Sequence, residues 1–334
     1  MQVPLSPSGD TGIDIGKLIM TQIKDKAIWI VFLILFVFFS IATERFFTYS
    51  NLLTVLRQVS MYGIAAVGMT FVILTAGIDL SVGSIISLVG VVCAFLMAYF
   101  GMSAWTAVPI TLVMATLIGT ANGAMVASIG MPAIIATFAT QIVVQGYAYL
   151  LSGGSPIRPD GGFDDSFLFI GRGMLFDTPV PIPVIIMIVC FAVGGFILTK
   201  TYFGRYFYAV GGNEEASKLS GIRIKAVKYL VYSLSGFFAG LAGIVLLTRT
   251  ASAQPSAGVG WEFAVITCVV LGGVSISGGY GKISNVVAGT LIVGILRNGM
   301  VLLGISAFTQ MVVQGFVLAA AVGFDCLQKK RQII

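Results

Sequence analysis

Residues 182–200 read IPVIIMIVCFAVGGFILTK, and no charged residue interrupts this run before Lys200. A membrane-crossing helix needs about 20 mostly apolar residues, so this stretch predicts a transmembrane helix. The next segment, residues 201–226, carries six charged residues, as expected where a polypeptide returns to water. The change from one to the other indicates an integral membrane protein.

The composition extends this interpretation to the whole chain. Of the 334 residues 57% are hydrophobic and only 10% are charged, and the mean hydropathy is +1.02. Soluble domains carry roughly 25% charged residues, so the chain lacks the charge to coat a soluble surface. An ordinary cytosolic enzyme and a secreted disulfide scaffold are both excluded.

Similar apolar stretches recur along the chain and predict an all-α polytopic membrane protein with about ten transmembrane helices. The predicted spans are about 27–43, 59–76, 80–100, 104–127, 132–151, 182–200, 227–248, 262–276, 285–304 and 308–325. The eighth is short, because glycines between 272 and 281 interrupt its end. We expect a tail at 1–26, one transmembrane domain at 27–325 and a second tail at 326–334.

Lysines and arginines fix the expected orientation. With both termini in the cytoplasm, the inside segments hold 13 basic residues and the outside segments hold 5, while Arg297 lies within the ninth span. The positive-inside rule therefore predicts that both tails are cytoplasmic. The net charge of +6 is then explained by topology and contact with anionic lipid, and it does not indicate nucleic-acid binding.

A weak internal repeat is present. Residues 140–146 (TQIVVQG) resemble 309–315 (TQMVVQG), Asn122-Gly123 resembles Asn298-Gly299, and residues 77–83 resemble 273–279. The first two pairs lie on spans that cross in opposite directions, which is typical of inverted repeats in transporters. The third pair lies on spans that run the same way, so chance similarity among apolar helices remains an alternative.

Enzyme chemistry has no visible basis in this sequence. The chain has no histidine, its four cysteines are dispersed without a CxxC pair, and the glycines near Lys282 do not form a Walker A loop. We therefore expect no catalytic, metal or cofactor-binding residue. The cysteines are interpreted as small hydrophobic residues, and the paired glycines at 119/123 and 236/240 as sites of close helix packing.

Polar residues within the spans are the candidates for a translocation path. Asp79 and Arg297 are the titratable groups that we place there, and Asp79 either caps the third span or contacts substrate. Several amides either line a polar passage or form hydrogen bonds between helices. The candidate path residues are Asp79, Asn122, Gln141, Gln145, Asn298 and Gln310.

The charged inside loop predicts a short capped helix within residues 204–222. Asn213 is a good N-cap, Glu214 and Glu215 suit the first turn, and Gly221 suits the C-terminal stop. Ala216 and Leu219 give this helix a small apolar face, so we expect a docking element; a solvated connector is the alternative. The candidate docking residues are Gly211, Asn213, Glu214, Ala216, Leu219 and Gly221.

Several stretches of the chain resemble the permease subunits of bacterial ribose/galactose/xylose-type sugar ABC importers. They are this loop, residues 74–84 (LTAGIDLSVGS) and the later stretches 252–255, 269–279 and 298–304. The resemblance spans residues 27–325, in order. It implies a multi-pass protein of the bacterial inner membrane that forms the path for a monosaccharide, with ribose as the first candidate. The sequence does not resolve which sugar is carried.

The resemblance also implies partners. Two ATPase subunits would bind ATP and Mg²⁺ and dock on the 211–221 loop, an external sugar-binding protein would deliver substrate, and a second permease copy would complete a homodimer or a related heterodimer. The chain itself would make and break no covalent bond. A secondary, ion-coupled transporter is the alternative, but it would require more titratable groups in the passage.

The outside loop 152–181 is a further candidate surface. It carries Asp160, Asp164, Asp165 and Asp177 and is too polar for a span. Because it faces the side from which a binding protein would deliver sugar, we expect it either to attract a partner of opposite charge or to be an ordinary solvated loop.

Overall fold

The computed structural model describes the backbone of residues 15–176 and 178–333, and the side chains of 27–176 and 178–327. Residues 1–14 of the predicted N-terminal tail, Asp177 and Ile334 lie outside the described residues. The helices are α1 Ile15–Ala42, α2 Tyr49–Leu74, α3 Val82–Phe100, α4 Ala104–Ala124, α5 Ala133–Ser152, α6 Asp165–Arg172, α7 Ile182–Lys200, α8 Tyr202–Gly212, α9 Glu214–Leu219, α10 Ile224–Thr250, α11 Trp261–Leu271, α12 Ile283–Leu302 and α13 Ala307–Ile333. A π-helical turn, Met125–Ile129, continues α4.

The predicted all-α polytopic fold is confirmed. Eight described helices are long and apolar enough to cross a membrane: α2, α3, α4 with its π turn, α5, α7, α10, α12 and α13. The apolar part of α1 (Ala27–Ala42) and α11 are shorter. The described parts of the two predicted tails continue α1 and α13 as helix.

The short helix α11 completes a crossing together with the irregular segment before it. Ala253 forms an isolated antiparallel bridge with Ile157, just beyond the end of α5. Ile283, at the start of α12, packs against Gly194 near the opposite end of α7. Residues 251–271 therefore pass from one face of the bundle to the other. Residues 251–260, which we call the entry segment, are irregular, and α11 forms the remaining half.

Helices α2, α3 and α10 form the centre of the bundle, and two thirds of the apolar window of each is buried. Helix α4 approaches α10 so closely that a Cβ on Gly119 would lie 2.2 Å from the carbonyl oxygen of Tyr232. A Cβ on Gly236 would lie 2.3 Å from the carbonyl oxygen of Ala115. The predicted role of these glycines in close helix packing is confirmed, because any larger residue would separate the two backbones.

The internal repeat has a mixed outcome. Alternating the crossings in chain order places α5 opposite to α13, and α4 opposite to α12, as an inverted repeat requires. The turns after α2 and α11, however, meet at one face, where the Gly279 N–H donates to the Leu74 carbonyl oxygen at 2.9 Å. Two of the three similar pairs therefore have inverted directions, and the third pair does not.

The structure differs from the prediction in two connections. The outside loop contains the short helix α6, which begins after Asp164 and buries Phe167 against the bundle. The inside loop contains two helices, α8 and α9, where one was expected. The break falls at Asn213, whose extended backbone (φ −160°, ψ 105°) ends α8 and caps α9.

Candidate functional site

Helix α9 is built as the sequence predicts. The Asn213 Oδ1 accepts a hydrogen bond from the Ala216 N–H at 2.9 Å, as an N-cap should. Glu214 in the first turn forms an ion pair with Lys228 of α10 at 2.7 Å. Gly221 has φ +83°, a left-handed conformation that glycine adopts without strain. The helix is therefore fixed to the bundle at one end.

The apolar residues of α9 face outward. Ser217 is the buried residue of this helix, whereas Ala216 is exposed and Leu219 is 88% exposed. Together these two residues leave a small apolar face on the charged surface of α9. The predicted face exists, and no described residue covers it.

Helix α8 connects α9 to the membrane bundle through a tight glycine contact. A Cβ on Gly211 would lie 1.8 Å from the Leu74 carbonyl oxygen and 2.5 Å from the Gly279 nitrogen. The Tyr208 hydroxyl donates to the Gly281 carbonyl oxygen at 2.8 Å. The end of α2, the end of α8 and the loop between α11 and α12 thus meet at one point, which we call the glycine junction.

Asp79 lies fully buried in the turn between α2 and α3. Its Oδ1 accepts hydrogen bonds from the Ser81 N–H at 3.0 Å and the Ser81 hydroxyl at 2.6 Å, and its Oδ2 accepts one from the Ser235 hydroxyl of α10 at 2.7 Å. The N-cap position of α3 is Ser81. Asp79 therefore organises the turn that precedes the helix and ties it to α10.

Asn122 of α4 joins the same network. Its Nδ2 donates to the Ser81 hydroxyl oxygen at 2.8 Å, and its Oδ1 accepts from the Thr140 hydroxyl of α5 at 2.6 Å. Thr137, one turn earlier on α5, accepts from the Leu80 N–H at 3.0 Å. The structure thus brings Asp79 and Asn122 together, at the point where α3, α4, α5 and α10 converge.

Gln141 and Gln145 lie on the same face of α5. The Gln141 Nε2 donates to Oε1 of Glu262 at 2.9 Å, and the Gln145 Nε2 donates to the Pro255 carbonyl oxygen at 2.7 Å. Both contacts connect α5 to the entry segment or to α11. Glu262 is 2% exposed, and its Oε2 has no hydrogen-bond partner.

Asn298 and Gln310 lie elsewhere. Asn298 and Asn51 exchange two amide hydrogen bonds, of 2.9 and 3.0 Å, between α12 and α2. Gln310 lies on α13, and its Nε2 donates to the carbonyl oxygen of Ile305, just before that helix, at 2.8 Å. Arg297 donates to the Tyr62 hydroxyl. The six candidate path residues therefore do not surround a single passage.

A cavity of about 530 Å³ opens at the face where α9 lies. Tyr232, Thr75 and Gly77 line it beside charged residues of α9 and α10, and so does Ala133 at the start of α5. Ser235, the partner of Asp79, is one helical turn beyond Tyr232. The network around Asp79 therefore lies near this cavity.

Comparison with known proteins gives the family. Residues 51–322 match the family model described as "Branched-chain amino acid transport system / permease component". The ribose import permease protein of Haemophilus influenzae is 40% identical over 315 residues, covering 94% of this chain and 96% of that protein. The chain belongs to this permease family.

Other relatives agree with this assignment. The ribose import permease protein of Escherichia coli K12 is 43% identical over 89% of this chain and 92% of its own length. The L-arabinose transport system permease protein of the same strain is 41% identical over 90% of each chain. No solved structure matches the chain. The permease is thus a multi-pass protein of the cytoplasmic membrane.

Sequence reasoning missed one functional candidate in this permease. Glu262 opens the eighth predicted span, but only Asp79 and Arg297 were counted as titratable groups in the spans. The sequence contains a signal for Glu262, because an acidic residue at the first position of an apolar run favours the start of a helix. Such a residue also lies within the membrane when that helix does. The structure buries it beside Gln141, which adds a second intramembrane carboxylate.

Proposed function

We propose that this permease is the membrane subunit of an ATP-driven importer and carries a monosaccharide, with ribose or a related pentose first. The observation that carries the proposal is the 40–43% identity to ribose import permease proteins over about nine tenths of the chain. The buried amides and carboxylates that meet near α5 suit a polyol, because each sugar hydroxyl both donates and accepts hydrogen bonds.

ATP and Mg²⁺ would be bound by a separate cytoplasmic ATPase, since this sequence carries no phosphate-binding loop. The exposed face of α9, with Ala216 and Leu219, is the surface on which we place that ATPase. Motion of α9 would pass through α8 to the glycine junction, where Gly211 contacts both Leu74 and Gly279. From there it reaches the turn that holds Asp79, only a few residues beyond Leu74.

An external binding protein and a second permease copy complete the proposed assembly. The binding protein would release sugar at the face that carries α6 and the entry segment. The second copy is either identical or a related permease. The sugar need bind only weakly inside the permease, since it must leave on the cytoplasmic side.

Transport by the reconstituted complex tests the proposal. The permease, its ATPase and its binding protein are placed in proteoliposomes, and uptake of labelled ribose, arabinose, xylose and leucine is measured. We expect uptake of a pentose that requires ATP and the binding protein. Leucine uptake would contradict the sugar assignment. Uptake that follows a proton gradient without ATP would favour the ion-coupled transporter instead.

A further inference from the structure

Helix α13 is the least enclosed of the eight long apolar helices. None of the residues in its apolar window, Ala307–Leu327, is buried, whereas two thirds of the windows of α2, α3 and α10 are. It packs against α11, and its partly buried apolar residues that touch the core are Leu318, Ala321 and Val322. Because packing contacts hold membrane helices together, α13 is held less firmly than the central helices.

One side chain, Asp325, ties the cytoplasmic end of α13 to the bundle. Its Oδ2 accepts hydrogen bonds from the Ser275 hydroxyl at 3.0 Å and from the Ile276 N–H at 3.1 Å. Both donors belong to the loop between α11 and α12, residues 272–282. The other described side-chain hydrogen bonds of α13 remain at its first turn, with residues 305 and 306. Since bonds to a charged acceptor are stronger than bonds between neutral groups, Asp325 is the main polar attachment of the described part of α13.

The same loop belongs to the glycine junction only three residues further on. The Gly279 N–H donates to the Leu74 carbonyl oxygen at 2.9 Å. Gly278 lies so close to α8 that a Cβ on it would be 2.9 Å from the Gly211 Cα. The Gly278 N–H also donates to the Ser275 carbonyl oxygen at 2.9 Å, which joins the two sides of the loop through a tight turn. A displacement of the junction would therefore reach Ser275, and through it Asp325.

We propose that Asp325 is a positioning residue for energy coupling, which makes α13 move together with the glycine junction when the ATPase displaces α9. This inference rests on the proposed function, in which motion of α9 reaches the junction through α8. The junction would then move two elements, the α2–α3 turn through Leu74 and α13 through Ser275. A helix that is exposed along its whole membrane window can shift with little loss of packing inside its own subunit. Asp325 touches neither sugar nor ATP and acts through the loop.

Substitutions at both ends of this link test the proposal in the reconstituted complex. Asp325→Ala removes the acceptor, whereas Asp325→Asn keeps a side-chain oxygen that can accept from both donors. Ser275→Ala removes only the hydroxyl bond and is the milder second variant. Cys326→Ala is the matched control, because Cys326 is the next residue on α13 and is exposed. Sugar uptake and ATP hydrolysis are measured together, beside protein abundance and melting temperature.

We expect the sugar carried per ATP hydrolysed to fall about fivefold in Asp325→Ala, at the lower end of couplings between distant sites, and to fall less in Ser275→Ala. Asp325→Asn and Cys326→Ala should keep the ratio of the unmodified complex. A purely structural role would lower abundance and melting temperature but leave this ratio unchanged in the protein that remains. An unchanged ratio in Asp325→Ala would overturn the inference, and if that variant does not fold, an unchanged ratio in Ser275→Ala would do so.

An environment-sensitive fluorophore on Cys326 reports whether α13 moves, since the other three cysteines are buried. We expect its emission to change when ATP and sugar-loaded binding protein are added to the otherwise unmodified complex. The change should be lost in Asp325→Ala and kept in Asp325→Asn. If the complex imports sugar while the emission stays constant, α13 does not move and the inference is wrong, although the proposed function stands. If the unmodified complex imports no sugar, the proposed function itself fails.

Discussion

At the scale of single residues, Asp79 and Glu262 are two buried acids with different surroundings. Asp79 accepts three hydrogen bonds from Ser81 and Ser235, so both of its oxygens have donors within the protein. Glu262 accepts a side-chain hydrogen bond from Gln141 through Oε1, and its Oε2 forms none with a described residue. Since a satisfied buried group stabilises a fold and an unsatisfied one costs free energy, we expect Asp79 to have a structural role.

This difference predicts how Asp79 tolerates replacement. Asp79→Asn keeps an acceptor for Ser81, and its amide can donate to Ser235, so we expect normal protein levels and much of the transport. Asp79→Leu leaves buried donors without partners and should destabilise the protein by about 3 kcal/mol or more. Uptake measured beside protein abundance and melting temperature checks both. Loss of transport by Asp79→Asn at normal abundance would instead indicate contact with substrate.

Gly211 and Gly212 form a matched pair for the glycine junction. A Cβ on Gly211 would overlap the Leu74 carbonyl oxygen, whereas a Cβ on Gly212 meets nothing within 4 Å. We expect Gly211→Ala to lower stability by about 1–3 kcal/mol and to weaken the dependence of uptake on ATP. Gly212→Ala should behave like the unmodified protein in thermal unfolding and coupled ATP hydrolysis. Equal thermal unfolding and equal coupled ATP hydrolysis in the two variants would rule out a role for the glycine junction in coupling.

At the scale of elements, α9 and α6 present surfaces at opposite faces. Leu219 on α9 and Phe176 after α6 are each 88% exposed. Leu219→Arg should abolish association with the ATPase and leave folding intact, because exposed substitutions shift stability by only about 0.5 kcal/mol. Phe176→Arg is the control and should leave association unchanged. Co-purification measures both, and ATPase bound normally to Leu219→Arg would remove α9 as the docking site.

The acidic residues near α6 carry a separate prediction. Asp160, Asp164 and Asp165 are exposed, and no described residue forms a salt bridge with them. Neutralising all three should slow the ATP hydrolysis that the binding protein stimulates, and the slowing should be larger at low salt than at high salt. Exposed charges of this kind are screened over about 8 Å at physiological ionic strength. A rate that stays the same across the salt range would identify an ordinary loop.

At the scale of the whole molecule, the orientation in the membrane is open to a direct test. Cys326 is exposed near the end of α13, which the positive-inside rule places in the cytoplasm. A membrane-impermeant maleimide should label it in inside-out vesicles but not in intact cells. Phe176→Cys, combined with Cys326→Ser, should show the reverse. Labelling of Cys326 in intact cells would invert the predicted topology.

The apolar pattern predicted the transmembrane helices closely because hydrocarbon dictates local sequence: a crossing helix must be long, apolar and internally hydrogen-bonded. The same locality explains why the cap at Asn213 and the stop at Gly221 were predicted correctly, since both depend on residues within one turn. The helix α6 was missed because its apolar residues are few and its support comes from distant parts of the bundle. Helix α8 was also missed, because its glycines disfavour a helix locally and its support comes from contacts with the ends of α2 and α7.

The sequence by itself thus determined the membrane class, the approximate crossings, the short capped helix α9 and the family resemblance, because these follow from composition and local pattern. Only the tertiary structure decided which polar residues meet. Asp79, Asn122, Gln141 and Gln145 converge on the contacts of α5, while Asn298 pairs with Asn51 and Gln310 bonds within its own neighbourhood. A buried amide takes whichever partner the helix packing supplies, and that packing depends on glycine contacts between residues more than a hundred positions apart.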